Sequence, residues 1–220
     1  MNKCSHISAT LSKPLPGPNI RMHLELPRLL FLAGLLAYLA VRVVYKARTA
    51  SVSKASSKAD AQDRILILVV VVGQVLLPLL YLFSPLLRSA DYVLPEACVW
   101  IGAGLTAYGL WLFWRSHADL GKNWSVTLEL GNEHQLITQG VYRHVRHPMY
   151  ASFIALGLGQ AMLLNNWIAG WAAVTAVFAL CAFRIPREER MLAGHFGDAY
   201  RSYQGRTGRL LPRVQFLAGI

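Results

Sequence analysis

Two short stretches gather the side chains that could do chemistry. RHVRHPMY, residues 143–150, places Arg143, His144, Arg146 and His147 just before Pro148 and the apolar run that follows it. RIPREER, residues 184–190, sets Glu188 and Glu189 among arginines. Pro148 suits the first position of a helix, where free backbone amides and the preceding cations favour a carboxylate or another anionic ligand group. Pro186 likewise reads as a helix start, with Glu188 and Glu189 in its first turn, where negative charge also favours the helix dipole. Adjacent helical glutamates point about 100° apart, so one can face the basic cluster while the other holds an arginine or a ligand cation. Simple headgroup anchoring would account for Arg143 and Arg146, but histidines are poor anchors at neutral pH. A metal site on His144-x-x-His147 lacks a third ligand at suitable spacing, so no metal is expected.

The elements that must position these groups are membrane helices. The chain has 220 residues, 55% hydrophobic and only 15% charged, too apolar for an ordinary soluble domain of this size. A crossing needs about 20 apolar residues for a hydrocarbon core of ~30 Å. Five runs are candidates: 29–45, with Arg42 snorkelling at its end; 65–87, kinked at Pro78; 93–114, with an aromatic belt at Trp111, Phe113 and Trp114; 149–164; and 167–183. Only Asn165 and Asn166 separate the last two, which predicts a tight antiparallel hairpin. The expected fold is therefore all-α and polytopic, with about five transmembrane helices and a cytosolic C-terminal helical pocket. Expected boundaries are a disordered arm at 1–28, N-terminal transmembrane helices at 29–115 and a core at 116–220.

Cation placement gives the orientation. Segment 46–64 carries Lys46, Arg48, Lys54, Lys58 and Arg64, segment 115–148 carries four cations and the tail from Arg184 carries seven, whereas the opposite loops hold only Arg88. The positive-inside rule puts the basic loops and the C-terminus in the cytoplasm, although the four cations before residue 29 pull mildly the other way. The formal charge of +11 is explained by membrane flanks and anionic headgroups, so no nucleic-acid partner is expected. No cleavage signature follows a short apolar stretch, residues 48–62 read as a solvated low-complexity linker, and no internal repeat is present. Cys4, Cys98 and Cys181 have neither pairing nor metal spacing and read as packing residues.

Because the last two runs form a hairpin, 134–150 and 184–206 emerge side by side and roof one pocket. Leu192, Phe196, Ala199 and Tyr203 recur at helical spacing behind it. At these residues the chain resembles the isoprenylcysteine carboxyl methyltransferase family, itself similar at this end to phospholipid N-methyltransferases. The resemblance covers roughly residues 120–213: NWS at 123–125, HQLITQGVYRHVRHPMY at 134–150, the EE pair at 188–189 and FGDAYRSYQGRTGRLLP after it. It departs from the common pattern at Val141, where many members have proline. It implies a membrane-embedded enzyme using S-adenosylmethionine, with His134, Gly140, Tyr142, Arg146, His147 and Tyr150 lining the cofactor pocket and Glu188 and Glu189 closing it.

That cofactor presents cations, a carboxylate and hydroxyls, so both signs are needed at close range: Arg146 or His147 for the carboxylate, Glu188 or Glu189 for the ammonium or ribose. Tyr142 and Tyr150 could cover adenine or face the sulfonium. With a carboxylate acceptor, positioning matters more than proton transfer, and Arg201 or Arg206 are candidates to hold it. An amine acceptor would need a base, for which Glu189 in a desolvated site is the candidate. The lipophilic acceptor would enter from the bilayer between helices, where Gly157, Gly159, Gly170, Ala172 and Ala173 either leave room or, as favoured here, allow close packing. Carboxyl methylation of a prenylcysteine or similar lipophilic acid is the leading expectation, with phospholipid or amine N-methylation second. An NADPH-dependent sterol-type reductase is a further alternative, against which the EE pair speaks, and a merely structural basic face is the bland one. Oligomeric state is not legible.

Overall fold

The structure, a computed structural model, describes residues 18–49, 61–121 and 135–213. It is helical, and its only extended pairings among the described residues are two isolated bridges. Helices α1 (Pro18–Thr49), α2 (Ala61–Val71), α3 (Leu77–Phe83), α4 (Ala97–Leu120), α5 (Pro148–Leu164), α6 (Ala172–Phe196) and α7 (Asp198–Arg206) follow in order. A π-helical turn at Val72–Leu76 joins α2 and α3 into one rod. It lies directly ahead of Pro78, whose missing amide frees a carbonyl one turn back, so the expected kink is taken up as a widened turn. The long rods alternate in direction. Tyr45 stacks near His117 (5.0 Å) and Arg187 meets Asp63 (3.6 Å) at one end; Arg28 lies over Tyr81 (5.8 Å) at the other.

Among the described residues three helices are long and apolar enough to cross a membrane: Glu25–Arg48, Ala61–Phe83 and Ala97–Leu120. The other two expected runs are not among these three, although α5 matches its expected bounds of 149–164 to within a residue. Helix α5 is apolar but only 17 residues long, and α6 is apolar only as far as Phe183 before continuing unbroken through Arg184 and the glutamate pair. Pro186 therefore lies inside α6 rather than starting a helix; the change from apolar to charged residues looked like a boundary but is only the rod leaving its apolar surroundings. The expected stripe from Leu192 to Tyr203 is also interrupted, because Gly197, at φ 55°, ends α6 and α7 begins at Asp198. Helix α1 starts at Pro18, earlier than the expected boundary at residue 29.

The core is built from Phe31, Leu35 and Tyr38 of α1, Phe113 of α4, Phe153 and Leu156 of α5, and Val177 and Leu180 of α6. Glycines bring the helices together: a Cβ on Gly109 would sit 2.8 Å from Leu156 Cγ, and one on Gly157 would sit 3.2 Å from the Val174 amide nitrogen. That is the close-packing role expected of small residues. Polar side chains staple the rods where no water competes. Gln160, 1% exposed, donates to Gly73 O (2.9 Å) and Ala169 O (2.6 Å). The connection between α5 and α6 is longer than two residues and is pinned by Asn166, which donates to Leu87 O and Asp91 Oδ1 (both 2.7 Å) and accepts from the Ile168 and Ala169 amides.

Candidate active site

The site is built at the end where α4 stops and α5 starts. Gly140 takes φ 59°, a left-handed conformation that side chains disfavour, and a Cβ there would also run into the Asp119 carboxylate. Asp119 Oδ2 accepts the Val141 amide (2.9 Å) while Arg115 holds Oδ1 (2.7 Å). The resulting 3-10 turn, Gly140–Arg143, carries Tyr142 inward, where its hydroxyl donates to Ser116 O (3.3 Å) and its carbonyl accepts from Tyr203 (2.6 Å). Burial, with smaller contributions from nearby charges, keeps the Tyr142 phenol protonated well beyond its ordinary range.

Beyond the turn the basic stretch divides by side. Arg143 and His144 are exposed, whereas the His147 side chain is 3% exposed and that of Arg146 8%. The chain after α7 pairs alongside, with a parallel bridge between Val145 and Gly208. Gly208 O accepts the Arg146 amide (2.8 Å) and Arg209 O accepts the His147 amide (3.0 Å). Arg146 also donates through Nη1 to Gln204 O (3.2 Å) and Thr207 O. Residues 145–147 are thereby clamped between α5 and the tail, and Pro148 opens α5 as expected.

Glu189 is the centre of this arrangement. Its Oε1 accepts from Arg146 Nη2 (2.8 Å) and Nε (3.1 Å) and lies 3.2 Å from His147 Nε2, while Oε2 accepts from Arg209 Nη2 (2.7 Å). Burial works to raise its pKa, but the hydrogen bonds from His147, Arg209 and Arg146 outweigh it and hold the carboxyl far below the usual range. Glu188, one residue earlier and turned away, keeps 28% of its side chain exposed. It accepts the Tyr150 hydroxyl (2.9 Å) and lies 3.8 Å from His147 Nδ1. Arg184, one turn before Glu188, is also buried.

Of the residues singled out from sequence, Gly140, Tyr142, Arg146, His147, Tyr150, Glu188 and Glu189 converge here. Arg201 and Arg206 do not. Both are exposed, and Arg201 pairs with Asp198 on the surface of α7 (3.2 Å). The cation that reaches the site from the tail is Arg209. His134 and the 123–125 stretch lie outside the described residues, and among those described no three His, Cys, Asp or Glu side chains gather to hold a metal. Asp119, Tyr200 and Arg209 were missed. Asp119 had one sequence signal, its spacing of four from Arg115, which predicts an ion pair.

A sequence profile described as the isoprenylcysteine carboxyl methyltransferase family matches residues 103–194, from the middle of α4 to just past the glutamate pair. The matched stretch is less than half of the chain. Curated relatives include a protein-S-isoprenylcysteine O-methyltransferase of Schizosaccharomyces pombe, 30% identical over 113 residues, 50% of this chain and 48% of the relative. The Arabidopsis thaliana enzyme named B is 34% identical over 96 residues, 43% of this chain and 49% of that one. The Mus musculus protein of the same description is 33% identical over 93 residues, 42% of this chain and 33% of that one. The chain thus spans about half the length of the first curated relatives it matches. A solved structure described as a eukaryotic intramembrane Ras methyltransferase, isoprenylcysteine carboxyl methyltransferase, superposes with a TM-score of 0.53 at 23% identity, covering 86% of this chain and 68% of the other. That likeness shows that the chain has the same kind of helical fold.

Proposed function

We propose that this chain is an integral membrane methyltransferase that uses S-adenosylmethionine to esterify the carboxylate of a prenylated cysteine or similar lipophilic acid. The observation that carries the reading is the Glu189 hub: one buried carboxylate ties the RHPxY segment, the end of α6 and the tail into a single charged pocket. The residues fit such a cofactor. The partly exposed Glu188 carboxylate suits a ligand ammonium or ribose hydroxyl, and Arg209, with 55% of its side chain exposed, suits a carboxylate. When bound, the cofactor supplies an electrophilic methyl group on a sulfonium.

The chain's own contribution is positional. A carboxylate acceptor is already ionised at neutral pH, so the residues need to bring it to the methyl carbon in line and keep water out, not remove a proton. N-methylation of an amine lipid would require a base, and Glu189 is badly suited to that role because Arg146, His147 and Arg209 hold it ionised and fully occupied. We read residues 116–220 as the methyltransferase core and the earlier helices as its scaffold. In this arrangement α5 and α6 complete five crossings, the basic end of the bundle faces the cytoplasm, and the acceptor slides in from the bilayer.

Calorimetric titration of the detergent-purified protein with S-adenosylhomocysteine, run beside NADPH, tests this reading. Saturable binding of the first alone is expected; binding of NADPH alone would move the site to reductase chemistry.

A further inference from the structure

The tyrosines around the Glu189 hub differ in one respect. Tyr142 donates to Ser116 O, Tyr150 to Glu188 Oε2 and Tyr203 to Tyr142 O. Tyr200, one turn before Tyr203 on the inward face of α7, is 1% exposed, and its hydroxyl has no partner among the described residues. A buried donor left unpaired costs free energy that phenylalanine in the same space would not. The Tyr200 ring lies 6.0 Å from that of Tyr203, whose hydroxyl donates to the Tyr142 carbonyl within the site. Burial and then the charge of Glu189 push the phenol upward in pKa, and Arg146 and Glu188 also act on it, so it stands at the edge of the ion cluster as a protonated donor. Two cations of the cluster already have internal partners: Arg146 donates to Glu189 and two carbonyls, and His147 lies against Glu189.

We propose that Tyr200 donates its O–H to a carboxylate oxygen of the bound ligand, an assignment that rests on the methyltransferase reading above. Two ligands of that reaction carry such a group, the amino-acid end of the cofactor and the acid that is methylated.

The test is Tyr200→Phe, which keeps the ring and removes the donor. The variant's ligand-free melting temperature should equal or exceed that of the wild type; a clear fall would show that the hydroxyl has an internal partner and would overturn the assignment. Affinities for S-adenosylhomocysteine and for 5′-methylthioadenosine, which lacks the amino-acid carboxylate, are then measured with the KM for N-acetyl-S-farnesylcysteine. A loss of about tenfold for S-adenosylhomocysteine with none for 5′-methylthioadenosine supports the assignment and identifies the cofactor as the source. Unchanged nucleoside affinities with a KM raised about tenfold support it with the acceptor as the source. Equal losses for both nucleosides, or no change anywhere, overturn it. Absence of S-adenosylhomocysteine binding to the wild type would instead bring down the functional reading, and this assignment with it.

Discussion

Glu188 and Glu189 are neighbours of identical chemistry, and the structure assigns them opposite vulnerabilities. Replacing Glu189 by glutamine keeps the shape but removes the counter-charge of Arg146, with both side chains only 8% exposed. Taking one partner from such a buried pair costs about 3–5 kcal/mol, and the new amide NH₂ would face donors. Arg209, with 55% of its side chain exposed, adds little because solvent screens its bond, about 0–1 kcal/mol. Replacing Glu188 by glutamine leaves an amide oxygen that still accepts the Tyr150 hydroxyl, on a side chain already 28% exposed, so under about 1 kcal/mol is lost. Thermal unfolding in detergent, followed by tryptophan fluorescence, should show Glu189→Gln melting on the order of 10 °C lower and Glu188→Gln close to wild type. S-adenosylhomocysteine titration should show Glu188→Gln weakened about tenfold at intact stability. Equal melting shifts for the two variants, or a Glu189→Gln protein as stable as wild type, would refute the view of Glu189 as the internal hub.

Gly140→Ala should destabilise the turn by about 2–4 kcal/mol, combining the left-handed backbone penalty with displacement of Asp119, and limited proteolysis near residue 140 should reveal the loosening. Gln160→Leu strands two carbonyls that its amide now satisfies, at Gly73 and Ala169, and should cost about 2–4 kcal/mol in melting experiments while leaving the pocket's chemistry in place. The Glu189 carboxyl is depressed in the folded state, so its stabilisation is complete above the ordinary glutamate value of 4.5 and is lost as pH falls below it. A plot of melting temperature against pH should therefore fall more steeply below about pH 5 for wild type than for Glu189→Gln; parallel curves would contradict the assignment.

Much of the site was legible because charge is costly beside apolar runs: Arg146, His147, Glu188 and Glu189 stand out as cations and anions where a membrane chain should have few. Their division of labour was not legible. Periodicity turns Glu188 and Glu189 apart but cannot say which one faces inward, and only the packed structure saturates Glu189 with donors. Arg209 looked like one more tail cation, since its pairing depends on a parallel bridge between residues far apart in sequence. Arg201 and Arg206, candidates to hold the acceptor, lie exposed on α7, outside the Glu189 cluster. The helices themselves were read well where apolar length decides, as in Ala61–Phe83, and poorly where it does not. Helix α6 carries backbone hydrogen bonding straight through the hydropathy change at Arg184, and a proline on its exposed side, Pro186, did not end it.

The most direct test of the central claim is methyl transfer itself: the purified, lipid-reconstituted protein incubated with methyl-labelled S-adenosylmethionine and either N-acetyl-S-farnesylcysteine or phosphatidylethanolamine. The account predicts label in the farnesylcysteine product, released by mild base as methanol because the bond formed is an ester, and none in the phospholipid. Base-stable label in the amine lipid, or no transfer to either by protein that binds S-adenosylhomocysteine, would contradict it.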